Sequence, residues 1–159
     1  MEFDERLQKA ILRGEKRSDE KSRAEAEKAF SEEELRRLHS EYRLALSDRI
    51  EQYVEQLGIQ FPGFDFTTLF GDRGWGAAVS RDDILMNSGQ RSNQYSRLEM
   101  TIRPFSSLYV LELTAKGTIR NREVFNRSHF EKLEDADQDN FIELIDHWVL
   151  EYAELFAAS

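Results

Sequence analysis

Apolar side chains recur along this chain at two spacings, and the change from one to the other divides it. From Leu35 onward they fall at helical intervals: Leu38, Tyr42, Ala45 and Leu46, Ile50, Tyr53 and Val54, Leu57. Residues 31–57 are therefore predicted as a helix with one apolar stripe. Ser31-Glu-Glu-Glu34 has the form of a capping box opening that helix, and Gly58 supplies a stop. Upstream, Phe3, Leu7 and Ile11 mark one helical face, but Gly14 and the charged run EKRSDEKSRAEAEKA follow. That stretch reads either as a solvated helix held by charge pairs one turn apart or as frayed chain. Residues 1–30 are taken as a charged helical extension and residues 31–159 as a single domain.

After Phe61-Pro-Gly-Phe64, which has the residues of a type II turn, the period drops to two. Phe64, Phe66, Thr68 and Phe70 alternate with Asp65, Thr67 and Leu69. Trp75, Ala77 and Val79 continue the alternation, as do Leu98, Met100 and Ile102, and then Tyr109, Leu111, Leu113, Ala115, Gly117 and Ile119. Strands with one buried and one wet face have this pattern. Asn121-Arg122 is read as a turn into a fifth strand near Glu123–Phe130, and the polar stretch Asn87–Gln94 as a mobile loop. The period returns to 3.6 at Gln138–Ala157, with Phe141, Leu144, Ile145, Trp148, Val149, Tyr152, Leu155 and Phe156 in one wide sector. The predicted fold is α+β: an antiparallel meander of four or five strands, with long helices before and after it packed on one face. Leu38, Ile102, Leu111, Leu113 and Trp148 are expected together in the core.

The composition carries such a core in 159 residues, with 40% hydrophobic side chains and eleven Phe among the aromatics. The chain has no cysteine, so disulfides, thiol catalysis and cysteine-ligated metals are out. It shows neither a secretory signal nor an apolar run long enough for a membrane span, so the expectation is a cytoplasmic protein with no membrane contact. The net charge of −9 is unevenly placed. Residues 1–63 carry 12 basic and 15 acidic groups, residues 64–130 carry 9 and 7, and residues 131–159 carry 1 and 9. That distribution lacks the dense basic footprint of a nucleic-acid binder.

Candidate chemistry thins out on inspection. Gly71, Gly74 and Gly76 resemble a phosphate loop, yet no Lys-Ser/Thr follows, Val79 stands where a dinucleotide fingerprint has its third glycine, and strands flank both sides. Asp72-Arg73-Gly74 is read instead as a three-residue hairpin loop, and Gly76 as a bulge or a close packing contact. Asp135, Asp137 and Asp139 have the spacing of the first ligands of a calcium loop, but Asn140 and Asp146 replace its glycine and its glutamate. A helix cap is the stronger account. His39, His129 and His147 form no ligand pair and are read as helix-surface or boundary residues. No cofactor and no metal site is assigned, and no catalytic set is found.

Two function classes remain. In the first, the protein is a non-enzymatic protein-binding adaptor. Arg97, Arg103, Lys116 and Arg120 on the wet sheet face then either meet an acidic partner or simply pair with neighbouring acids. In the second, it is a small-ligand carrier or enzyme with a pocket between sheet and last helix, around Trp75, Trp148 and Tyr152. Self-association is also expected, as a homodimer, because Phe3, Leu7 and Ile11 need a surface to cover them and the sheet and C-terminal segments carry opposite charge.

Overall fold

The first sixty residues contain no proline and only two glycines, so nothing in the backbone forces a break before Phe61-Pro-Gly. The computed structural model describes residues 2–159, apart from the side chains of residues 28–30. Met1 and those side chains, part of the predicted extension 1–30, lie outside the described residues. Helix α1 runs over Glu2–Gln60. Ser31 is thus internal to α1 rather than its start. A capping box works only where the preceding residue leaves helical geometry, and the helix-favouring sequence before Ser31 gives it no reason to. Nor does Gly58 stop the helix, because it packs tightly there. A Cβ on it would stand 3.0 Å from Val79 Cγ1. Chain reversal comes at Pro62 and Gly63, where Gly63 has φ +107° and Phe64 N–H donates to Phe61 O at 3.5 Å, which is the predicted turn.

The chain divides into two compact units, Met1–Arg37 and Leu38–Ser159. In the first, the α1 side chains Phe3, Leu7, Ile11 and Leu12 are all exposed. The second holds the rest of α1, five strands and the last helix. Strands β1 (Asp65–Leu69), β2 (Trp75–Asn87), β3 (Gln90–Ile102), β4 (Val110–Ile119) and β5 (Arg122–Lys132) form one antiparallel sheet in the order β1-β2-β3-β4-β5. A short 3₁₀ turn, Leu133–Asp135, leads into α2 (Gln138–Ala158). The fold is α+β, a five-stranded meander with helices on one face.

Register explains the core. Ala77 and Val79 pair with Met100 and Leu98, which pair in turn with Ala115 and Gly117. These residues, with Ile102, Leu111, Leu113 and Ile119, form the inner face, which is buried beneath Leu46, Ile50, Val54 and Leu57 of α1 and Phe141, Ile145, Trp148, Val149 and Tyr152 of α2. Leu38, expected in the core, is only half-buried. The inward position belongs to its neighbour His39, at 3% exposure. On α2, Leu155 is exposed although it lies in the predicted sector.

Three hairpins differ from expectation. Asn87–Gln94 is strand and turn rather than a loop: β2 and β3 stay paired to Asn87↔Gln90, closed by Ser88 and Gly89 at φ +53° and +78°. β1 pairs with β2 only as far as Ser80, and β4 with β3 only as far as Arg97, so residues 81–96 form a ribbon beyond the sheet. Ile84, Met86 and Tyr95 are exposed on it. The β4–β5 turn falls on Arg120 and Asn121, one residue earlier than predicted, both with positive φ. The Asn121 side chain then binds Tyr95 N–H and Asn93 O, extending the edge of β3. Between β1 and β2 the connection spans residues 70–74 rather than three residues. Its turn is closed by Gly74 N–H to Gly71 O at 3.1 Å.

His39 also differs from the surface role expected of it. Its ring meets Phe105 edge-on at 5.8 Å, and Nε2–H donates to Arg103 O at 3.0 Å. Burial lowers its pKa from the ordinary 6.5. The bond to Arg103 O opposes that shift, and the nearby Arg43 charge adds to it. The folded chain therefore refuses a proton that the unfolded chain accepts at that pH. The stabilisation is complete above pH 6.5 and declines as the pH falls below it, by at most about 1.4 kcal/mol per pH unit for one proton. Urea unfolding at stepped pH should show this decline in the wild-type chain. It should be absent from His39→Gln, which keeps a donor for Arg103 O but has nothing to titrate.

Candidate docking surfaces

The C-terminal turns of α1 and the middle of α2 lie side by side, and an open groove of about 770 Å3 runs between them. Its floor is Leu57 and Val149, flanked by Tyr53 and Ala153, and Phe61 closes one end. Phe61 is held there by an edge-on contact with Phe156 at 4.8 Å, and Phe156 in turn meets Phe64 at 5.0 Å. Ile59 and Leu150 stand on opposite rims, 69% and 67% exposed. Together with the apolar floor they make a continuous exposed apolar surface.

One ion pair sets the spacing of the groove walls. Arg49 of α1 binds Asp146 of α2 through two bonds, Nε to Oδ1 at 3.1 Å and a terminal nitrogen to Oδ2 at 3.0 Å. The guanidinium also lies over the Tyr53 ring at 4.6 Å. Both partners are about a third exposed, so the pair contributes roughly 0–1 kcal/mol and acts mainly as a positioning contact. Beyond it the rims are acidic. Glu55 lies one turn before Ile59; Glu143 and Glu154 lie two turns before and one turn after Leu150, and all three are exposed. Helix α2 carries five acidic side chains and no Lys or Arg.

A second, shallower cavity of about 620 Å3 is lined by His129, Asn140, Glu143, Leu144 and His147. His129 Nε2 is 2.7 Å from Glu131 Oε2, and the other Glu131 oxygen accepts Asp137 N–H at 2.9 Å. Burial raises the Glu131 pKa, but these hydrogen bonds outweigh it and hold the carboxyl below its ordinary range. Asp137 is the N-cap of α2, accepting Asp139 N–H at 3.0 Å. The Asp135–Asp139 spacing thus serves a helix start. Among the described residues no group of three His, Cys, Asp or Glu is placed to hold a metal ion.

The sequence candidates fall elsewhere. Arg97 pairs with Glu99 at 3.0 Å along the same strand, and Arg103 approaches Glu112 at 4.0 Å. Lys116 stands opposite Glu99 in register. Arg120 sits in the β4–β5 turn, bound to Gln94 Oε1 and Ser159 Oγ. The basic side chains of the wet sheet face are thus largely engaged with acids and amides of their own domain. Trp75, Trp148 and Tyr152 line neither of the two cavities. Trp75 is covered by the Arg43 guanidinium at 4.2 Å, and the Tyr152 hydroxyl donates to Thr118 O at 2.8 Å, with burial pushing the phenol pKa up. Sequence reasoning missed Ile59 and Leu150. The available signals were an apolar residue just past the supposed stop at Gly58 and a leucine outside the apolar sector of α2.

No helix among the described residues is long and apolar enough to cross a membrane. Comparison with models of protein families, with curated proteins and with solved structures gives no match to this chain.

Proposed function

We propose that this protein is a protein-binding module of adaptor type, non-enzymatic, whose partner surface is the groove between α1 and α2. One observation carries the reading: Ile59 and Leu150 are about two-thirds exposed on facing rims of an apolar floor. Two helices that run side by side in the same direction, as Tyr42–Ala136, Arg49–Asp146 and Phe61–Phe156 show, leave a groove that offers a third helix further ridges and grooves. Such a partner presents apolar residues at i, i+4 and i+8 to the floor and polar residues to the acidic rims. The groove volume also suits a small ligand, which gives the second reading its footing, now at this groove rather than around Trp75, Trp148 and Tyr152.

Leu150→Glu separates the readings. Leu150 is exposed, so the substitution should change stability by no more than about 0.5 kcal/mol. Affinity capture on the full chain should then recover at least about tenfold less of a stoichiometric protein partner with Leu150→Glu. Arg97→Glu on the sheet face should leave recovery unchanged. The reverse pattern would move the partner surface to the sheet face. A small molecule carried by the purified chain in native mass spectrometry, and lost on Leu150→Glu, would establish the ligand reading instead.

A further inference from the structure

We infer that the groove of one copy is filled by residues 3–17 of a second copy, in a reciprocal homodimer. The inference rests on the groove being a docking surface and names its occupant. Three features of the chain carry it. The first is an apolar face of the right kind. Phe3, Leu7 and Ile11 recur at i, i+4 and i+8 on α1 and are 74%, 47% and 52% exposed. The second is size. From Phe3 to Ile11 a helix rises about 12 Å, and the groove walls Tyr53–Gln60 and Asp146–Ala153 each rise about 10 Å. The three anchors therefore match the floor in length.

The third feature is charge. Residues 3–17 carry five basic side chains, Arg6, Lys9, Arg13, Lys16 and Arg17, against the three acids Asp4, Glu5 and Glu15, a net of +2. The acids Glu2, Asp4 and Glu5 are confined to the first turn of α1, where they suit the helix dipole. Of the five acids of helix α2, Asp146 and Glu151 pair with Arg49 and Arg127, which leaves Asp139, Glu143 and Glu154 to meet a basic segment. At helical spacing Arg6, Arg13 and Arg17 follow one flank of the Phe3–Leu7–Ile11 stripe, in position to face Glu143 and Glu154. Residues 3–17 thus combine a net basic charge with the apolar anchors that the groove calls for. Because each copy carries both segment and groove, two copies close on each other with both contacts made, which is the usual symmetry of a homodimer.

Sedimentation velocity of the purified full chain across the micromolar range, at low and at high salt, tests this. A dimer is expected at low salt, weakened severalfold by salt because the rim contacts are exposed. The double variant Leu7→Glu/Ile11→Glu and the single variant Leu150→Glu should each dissociate it, with an affinity loss of about ten- to a hundredfold per lost anchor. Mixed in equal amounts, the two variants should re-form dimers, because a Leu150→Glu copy still offers its segment to the intact groove of the other. All these positions are exposed, and unchanged circular dichroism would show that folding is retained. A wild-type chain that stays monomeric overturns the inference. So does a dimer that survives Leu150→Glu but not Leu7→Glu/Ile11→Glu, since then the N-terminal helices pair with each other. If the purified chain is monomeric yet Leu150→Glu still abolishes capture of another protein, the groove remains a docking surface and only its assigned occupant fails. If Leu150→Glu changes neither measurement, both readings fail.

Discussion

A chain ending at Ala136 is expected not to fold. Helix α2 delivers Phe141, Ile145, Trp148, Val149, Tyr152 and Phe156 to the inner face of the sheet, each at most 9% exposed. Each such side chain contributes about 1.5–3 kcal/mol on full burial, against a total stability of about 5–15 kcal/mol for a domain. Removing all six takes away about 9–18 kcal/mol, as much as the whole stability of a domain or more. It also exposes Leu98, Met100, Leu113 and Ala115 to water, and it cancels the Tyr152 bond to Thr118 O and the Arg127–Glu151 pair between β5 and α2. The sheet would then present a continuous apolar face, a template for aggregation. The measurements are sedimentation and circular dichroism of the truncated chain. A monomer with full sheet content would contradict the two-layer architecture.

That architecture was readable where one side of an element is wet and the other dry. Leu98-Met100-Ile102 and Leu111-Leu113-Ala115 alternate cleanly with polar residues because helices cover only one face of β3 and β4. From residue 84 to residue 93 no such contrast exists. That part of the ribbon has water on both faces, so its sequence alternates nothing, and a polar run around Ser88-Gly89 is read as a loop although it is a two-residue hairpin turn. The unbroken α1 was hidden for a different reason. A capping box is a local pattern, and whether it caps depends on the residues before it.

The groove between α1 and α2 was harder still to foresee. An aliphatic side chain on a helix looks the same in sequence whether it points at a core or at an open groove. Only the placement of the second helix decides, and that follows from sheet register and from Arg49 meeting Asp146 nearly a hundred residues away. Charge was partly legible: the acidic C-terminal segment stood out at once, but the basic groups of the sheet could not be seen to be spent on Glu99, Glu112 and Gln94 until the strands were in register.

The glycines that first resembled a phosphate loop give the last prediction. An alanine at each would meet a different obstacle. At Gly76 a Cβ would lie 1.9 Å from Met100 O and 2.9 Å from Thr101 Cα, both backbone atoms of β3, one pair in from the end of the β2–β3 ladder. No side chain can rotate aside, so the β2–β3 pairing itself must move, and Gly76→Ala should cost at least about 3 kcal/mol. At Gly74 a Cβ would lie 2.2 Å from Ile102 O, and φ is +122°, so crowding and backbone strain add. Gly74→Ala should be at least as harmful. At Gly71 nothing lies within 4 Å, and only the φ of +119° resists a side chain. Gly71→Ala should therefore cost only about 1–3 kcal/mol, the price of one strained residue. Urea unfolding of the three variants measures the order directly. A phosphate-cradling loop would use its glycines to leave room for a ligand, and alanine at Gly76 would then harm binding and spare the fold. Here the atoms that Gly76 and Gly74 make room for are carbonyl oxygens of the neighbouring strand. A Gly76→Ala variant as stable as the wild type would mean that β2 and β3 do not approach as closely as Met100 O and Gly76 do in this fold.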